Sequence, residues 1–216
     1  MRRAVRANLR RAGRPVISAT RRHSEDAPEM RITGGADRGR SLRAPRGLRV
    51  RPTAGKVRGA VFNILSARTD INGQRWLDLF AGSGALGLEA LSRGAGKVTF
   101  VDSSWESCRC TMQNLERVGL AERAEVRRLT LPRGVRRLAR ELARFEGAFV
   151  DPPYRRLLAA ATLAELGDSG LLEQAAWVIA EHAVEESLAE RYGSLIRADQ
   201  RRYGSTAISL YVMEES

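Results

Sequence analysis

Four consecutive residues, Asp151-Pro152-Pro153-Tyr154, carry the most specific chemistry in this sequence. Each proline fixes its backbone and lacks an N–H, so the segment is rich in acceptors, the carbonyl oxygens and the Asp151 carboxylate. The Tyr154 ring adds a flat face for a nucleobase. Acceptors beside a stacking face suit an exocyclic amino group: they hold its N–H bonds and turn the nitrogen lone pair towards an incoming methyl. A second constellation lies upstream, in WLDLFAGSGALGLEALSRG from Trp76 to Gly94. An apolar run breaks into Gly82, Gly84 and Gly87, and leucines then recur at helical spacing as Leu86, Leu88 and Leu91. The pattern predicts a strand, a tight turn and a helix. Its glycines admit unusual backbone angles and let a ligand approach the main chain, while the helix start offers unpaired N–H groups. Asp102 closes a strand-like KVTFV at Lys97 to Val101, 20 positions after Gly82, where the acid of a Rossmann-like unit reaches a ribose.

Glycines and acid alone leave two cofactor classes open, dinucleotides and S-adenosylmethionine. Asp151 to Tyr154 follows a strand and so belongs at the carboxyl edge of the sheet, beside the cofactor crevice. It has no role in hydride transfer and favours the methyl donor. Asp78 either positions the cofactor or orders the glycine loop.

The elements that must position these groups alternate between strand and helix. A helix opens at Pro52 and Thr53, with Thr53 as N-cap and Val57, Val61, Ile64 and Leu65 as its apolar stripe. After the strand at Trp76 and the glycine turn come helix 104–118, strand 124–128, helix 134–145 and strand 147–150. Helix 155–166, strand 177–181, helix 184–192 and two closing strands near 195–198 and 206–213 complete the series. Such alternation predicts an α/β domain over residues 52–216, a mostly parallel sheet with an antiparallel edge. Trp76, Trp105 and Trp177 are expected in the core, and His182 in a structural or surface position.

The chain has 216 residues, 43% of them hydrophobic, and a formal charge of +12; Lys56 and Lys97 are its only lysines. Heavy arginine use favours phosphate partners and tilts the expected partner towards nucleic acid. Residues 1–29 hold eight arginines against Glu25, Asp26 and Glu29, so removing them still leaves +7. This tail is expected to be disordered. Residues 30–51 read as a small β-hairpin extension crowded with Arg31, Arg38, Arg40, Arg43 and Arg46, the best candidate for an RNA-gripping surface. Cys108 and Cys110 suit neither a disulfide nor a metal site, and His23 and His182 lie far apart, so no metal is expected. No apolar run approaches the roughly 18 residues of a membrane span. A soluble, cytoplasmic protein without membrane contact is expected.

RITGGADRGRSL, RPTAGKVRGAVFNIL, LDLFAGSGALGLEALSRGA and DPPY, in this order, resemble the RsmD family, which methylates guanine N2 in small-subunit (16S) ribosomal RNA. The resemblance runs from about Met30 to the end. It implies a class I methyltransferase, Rossmann-like with a seven-stranded sheet and the small N-terminal hairpin appendage. S-adenosylmethionine would be held by Phe80, Ala81, Gly82, Ser83, Gly84 and Gly87, with Thr53, Asp78 and Ser103 beside it and Asp102 on the ribose. Asp151, Pro152, Pro153 and Tyr154 would hold the target guanine, and Arg51 and Arg58 would join the RNA-binding arginines. The partner implied is ribosomal RNA, in an assembling small subunit, and a monomer is expected. The segment at Arg51 departs from the family's usual RPTTDRVRE at Ala54, Gly55 and Gly59. No acid stands in RRLTL at 127–131 to bind the adenine amino group, which leaves main-chain groups and apolar packing around Leu129 and Thr130. Two further readings share parts of this pattern: an RNA-binding protein with a decayed methyltransferase fold, and an adenine-N6 nucleic-acid methyltransferase.

Overall fold

Alternating apolar positions in each strand feed two separate cores, one on either face of a central sheet. The structure, a computed structural model, describes residues 30–45, 54–153 and 157–215. The expected tail 1–29 and the end of the hairpin segment, 46–51, lie outside them.

A two-residue antiparallel pair, β1 (Met30–Arg31) and β2 (Ser41–Leu42), is followed by α1 (Ala54–Ser66), β3 (Arg75–Leu79), α2 (Ala85–Ser92), β4 (Lys97–Asp102), α3 (Trp105–Val118) and β5 (Ala124–Arg128). Then come α4 (Gly134–Glu141), β6 (Phe145–Val150), α5 (Leu158–Asp168), β7 (Leu172–Ala183), β8 (Arg191–Tyr192), β9 (Leu195–Tyr203) and β10 (Thr206–Met213). Among the described residues the main sheet has eight strands in the order β5-β4-β3-β6-β7-β10-β9-β8. The first five are parallel, and β10, β9 and β8 close the sheet antiparallel.

Trp76, Val98, Phe100 and Phe149 face α1, α2 and α3, while Leu77, Leu79, Val101 and Val150 face α4 and α5. Phe149 stacks on Trp76 with ring centroids 4.9 Å apart. The hairpin belongs to the first of these cores, because Ile32 and Leu42 are buried in it.

Two features of the sheet correct the sequence reading. The eighth strand, β8, lies where the pattern predicted the end of a helix over 184–192. The Ala189 peptide explains why no helix forms: its N–H donates to the Tyr192 hydroxyl at 3.0 Å, and its carbonyl accepts from the Tyr211 hydroxyl at 2.7 Å. Both backbone groups a helix would use are thereby committed elsewhere. The strands at 177–181 and 195–198 are also longer than predicted, because β10 pairs with β7 from Thr206 to Val212 and with β9 from Thr206 to Met213.

Candidate functional site

Every parallel strand delivers its carboxyl end to one edge of the sheet, and chain order makes β3 the switch point, with β4 on one side and β6 on the other. Ligand clefts of open α/β sheets form there. A cleft of about 830 Å3 occupies that edge. Asp78 and Phe80 enter it from β3, Asp102 and Ser103 from β4, and Leu129, Thr130 and Leu131 from the end of β5. Asp151, Pro152 and Pro153 line it after β6, and Ala85 and Leu86 come from the first turn of α2. The two predicted constellations therefore share one cavity.

The glycine turn is held from below and from the side. Asp78 is 2% exposed, and its Oδ2 accepts the Gly87 N–H at 2.9 Å, which ties the first turn of α2 to β3. Burial pushes the Asp78 carboxyl up to about 7; the Gly87 hydrogen bond opposes this, and the Asp102 charge adds to it. Asp102 Oδ2 accepts the Gly82 N–H at 2.9 Å, and its Oδ1 accepts the Ser104 N–H at 2.8 Å. Ser104 in turn caps α3 through Ser107. Phe80, a non-glycine residue at φ 62°, carries backbone strain at the mouth of the cleft.

The glycines divide the work. Gly82 at φ 58° and Gly84 at φ 77° make the left-handed turn. Gly87 sits deeper, where a Cβ would collide with the Phe100 ring and Val98, so its bare backbone lets α2 lie against β4. Gly84 and Gly87, predicted to touch cofactor, do not line the cleft; Gly82 does, together with Ala81 and Ser83. Ala85, Leu86, Ser107, Leu131 and Leu158 line it without having been predicted. Their positions follow from the first turns of α2 and α3, the end of β5 and the start of α5, all of which converge on this edge.

Thr53 and Tyr154, along with Arg46 and Arg51, lie outside the described residues. Of the remaining predicted RNA-binding arginines, Arg31, Arg38, Arg40 and Arg43 are exposed on the hairpin. Arg40 pairs with Asp37 at 3.0 Å and also reaches the Val118 carbonyl. Arg58 is a correction: only 5% exposed, its Nε donates to Glu89 at 3.3 Å and its Nη2 to the Arg31 carbonyl. It is an internal strut that holds the hairpin to α2, and it cannot face RNA. Burial pulls its guanidinium below the ordinary arginine range while Glu89 pushes back.

Trp105 is a second correction, because the predicted core residue is 60% exposed at the start of α3. Trp76 is fully buried, and Trp177 is half-buried under the Arg68 guanidinium. His182 is structural, its ring between Ser209 Oγ at 2.9 Å and the Ala183 carbonyl at 2.9 Å. Cys108 and Cys110 are buried thiols whose pKa values burial raises, so neither is poised as a nucleophile. Among the described residues, no helix is long and apolar enough to cross a membrane.

The cleft's donor set fits S-adenosylmethionine. A strand-end carboxylate lies within reach of ribose hydroxyls, helix-start N–H groups can meet the methionine carboxylate, and Leu129 and Leu131 offer an apolar wall for a base. The comparisons with known proteins agree with that chemistry. The family model described as Conserved hypothetical protein 95 matches residues 30–212. YlbH of Bacillus subtilis is 38% identical, covering 84% of this chain and 98% of that protein. The ribosomal RNA small subunit methyltransferase D of Escherichia coli K12 is 36% identical over 86% of this chain and 91% of its own. A solved structure of a hypothetical protein from Thermus thermophilus superposes with a TM-score of 0.72 at 34% identity, covering 86% of this chain and 99% of that one. With most of its length matched, hairpin included, this chain belongs to the RsmD family, S-adenosylmethionine-dependent methyltransferases of the class I fold.

Proposed function

We propose that this chain transfers the methyl group of S-adenosylmethionine to the exocyclic N2 amino group of a guanine in small-subunit ribosomal RNA. One observation carries the reading: Asp151, Pro152 and Pro153 line the same cleft as Asp102 and the glycine turn, so an acceptor-rich wall faces the cofactor floor. The name of the Escherichia coli relative supports ribosomal RNA as substrate, and the family resemblance supports guanine N2 over adenine N6. The cytoplasm, where ribosomal subunits assemble, is then the place of action.

Bound in the cleft, S-adenosylmethionine supplies a methyl carbon made electrophilic by its sulfonium. Asp102 would hold the ribose hydroxyls, and Asp78 keeps the first turn of α2 in register through the Gly87 N–H. Asp151 and the carbonyls of the proline segment accept the two N–H bonds of the guanine amino group and aim its lone pair along the line of transfer. A new N–C bond forms as the S–C bond breaks. Asp151 then takes the proton that the alkylated nitrogen releases, so a strong base is unnecessary, and the rate enhancement comes mainly from positioning. Tyr154 is assigned the stacking face that holds the base out of its helix. The exposed arginines of the hairpin, Arg38 and Arg43 among them, are assigned to the RNA backbone.

The test is transfer of labelled methyl to small subunits from cells lacking the gene, followed by nucleoside analysis. Label in N2-methylguanosine is expected, and label in any other nucleoside, or none, contradicts the proposal.

A further inference from the structure

Trp105, the first residue of α3, is a large aromatic side chain left 60% exposed. It begins a helix of 14 residues, about 20 Å long, whose outer side also carries Arg109, Gln113 and Arg117 at successive i, i+4 positions. At the far end of α3 the helix meets the hairpin. Arg117 Nη2 donates to Ser41 Oγ at 2.9 Å, and Arg40 reaches the Val118 carbonyl. One turn before that end, the Arg43 backbone is clamped to the helix: its N–H donates to Asn114 Oδ1 at 2.8 Å, and its carbonyl accepts from Asn114 Nδ2 at 2.9 Å. The backbone of Arg43, an exposed residue, is thereby fixed beside α3. At the near end Arg128 Nε donates to the Ser103 carbonyl at 3.1 Å, so a further guanidinium meets the backbone two residues from Trp105 in sequence, beside the rim of the cleft.

These contacts join two elements into one surface, with arginines from the hairpin along α3 and an indole where it reaches the cofactor cleft. Acids in the strip have local explanations or flank it: Asp37 pairs with Arg40, Glu106 complements the positive start of α3, and Glu116 is exposed on the last turn. Guanidinium groups spaced along a helix suit phosphates, and an exposed indole at the end of such a row suits an unpaired base.

We propose that the outer face of α3, from Arg117 through Arg109 to Trp105, continues the hairpin's basic surface as a track for a single-stranded RNA segment, with Trp105 as the platform on which one base stacks. The proposal rests on RNA being the substrate and adds where a segment beside the target guanine is held. Trp105 is not assigned to the chemistry, and the cofactor cleft is complete without it.

The test compares wild type, Trp105→Ala, Trp105→Phe and the double variant Arg109→Ala/Arg117→Ala, each as the full chain. A fluorescein-labelled single-stranded RNA of about twelve nucleotides is titrated by anisotropy, and S-adenosylhomocysteine by calorimetry. Trp105→Ala is expected to weaken RNA binding about tenfold, the loss of one stacked base, with Trp105→Phe close to wild type. S-adenosylhomocysteine affinity and thermal midpoint should be unchanged in both. The double arginine variant should show a shallower dependence of RNA affinity on salt, by about 2 in log–log slope. Because Trp105 is the one strongly exposed tryptophan among the described residues, RNA should also quench the intrinsic fluorescence of wild type more than that of Trp105→Phe. Equal RNA affinity in Trp105→Ala and wild type overturns the proposal. A parallel loss of S-adenosylhomocysteine affinity also overturns it, by making Trp105 a wall of the cofactor site. If RNA binding depends on Trp105 but label never reaches guanine N2, the reaction assigned above fails and the track stands. If label reaches N2 with no dependence on Trp105, only the track fails. Absence of RNA binding in wild type removes the track and leaves the reaction to the labelling test.

Discussion

Glu89 in the middle of α2 accepts two hydrogen bonds from Thr33 of the hairpin, one from the backbone N–H and one from the hydroxyl, each at 2.7 Å. The same buried carboxylate holds Arg93 at 2.9 Å and Arg58 at 3.3 Å. One residue therefore bolts the hairpin, α1 and α2 together, and α2 carries the glycine turn at its other end. Removing it strands two guanidiniums, that of Arg58 deeply buried. Glu89→Ala should cost about 3–5 kcal/mol in urea unfolding and make the hairpin cleavable by trypsin under native conditions. A stability within about 1 kcal/mol of wild type would show that the network is not structural.

Asp78 should leave a signature in the pH dependence of stability. Its folded pKa is raised to about 7, above the ordinary carboxyl value, so between those values the folded state binds more protons than the unfolded one. Its contribution is therefore fully present below about pH 4 and is lost as pH rises through about 7. Asp78→Asn keeps an acceptor for Gly87 and removes the titration. Its thermal midpoint should fall less than that of wild type from about pH 5 to about pH 8. Parallel curves would contradict the burial of an ionisable group there.

Two glycine replacements should move stability in opposite directions. Gly87→Ala drives a methyl into Phe100 and Val98 and should cost about 1–3 kcal/mol. Gly55 lies in α1 at an ordinary φ with nothing within 4 Å of an added Cβ. Gly55→Ala should raise stability by up to about 1 kcal/mol. Chemical denaturation midpoints of the pair check both signs.

The path of the chain around the cleft is legible in the sequence because local patterns coincide with tertiary needs. The apolar run before Gly82, the acid at Asp102 and the strand before Asp151 each end at the same sheet edge, and spacing alone predicts that convergence. Arg58 escapes such reading because its partner Glu89 is 31 residues away and appears only when α2 folds over the hairpin. The segment at 184–192 has helical periodicity, yet the Tyr211 hydroxyl, 22 residues downstream, captures its backbone. Trp105 follows residue type into a predicted core, whereas the turn after Asp102 sets it outward. Gly87 carries the spacing of a ligand contact, but the close approach it permits is to Phe100.

Hairpin arginines should act on RNA and not on cofactor. Arg38→Ala and Arg43→Ala should each weaken RNA binding and reduce the log–log salt slope by about 1, with S-adenosylhomocysteine affinity unchanged. Unchanged slopes in both variants would take the hairpin out of the RNA interface.

Asp151 lines the cofactor cleft and is the residue proposed to meet the target base, and one comparison addresses that role directly. Wild type and Asp151→Ala are assayed side by side for methyl transfer to small-subunit RNA and for S-adenosylhomocysteine binding. Turnover in the variant should fall by at least about 100-fold, with cofactor affinity within about twofold of wild type. Turnover near the wild-type rate would contradict the assignment of Asp151 to the guanine amino group.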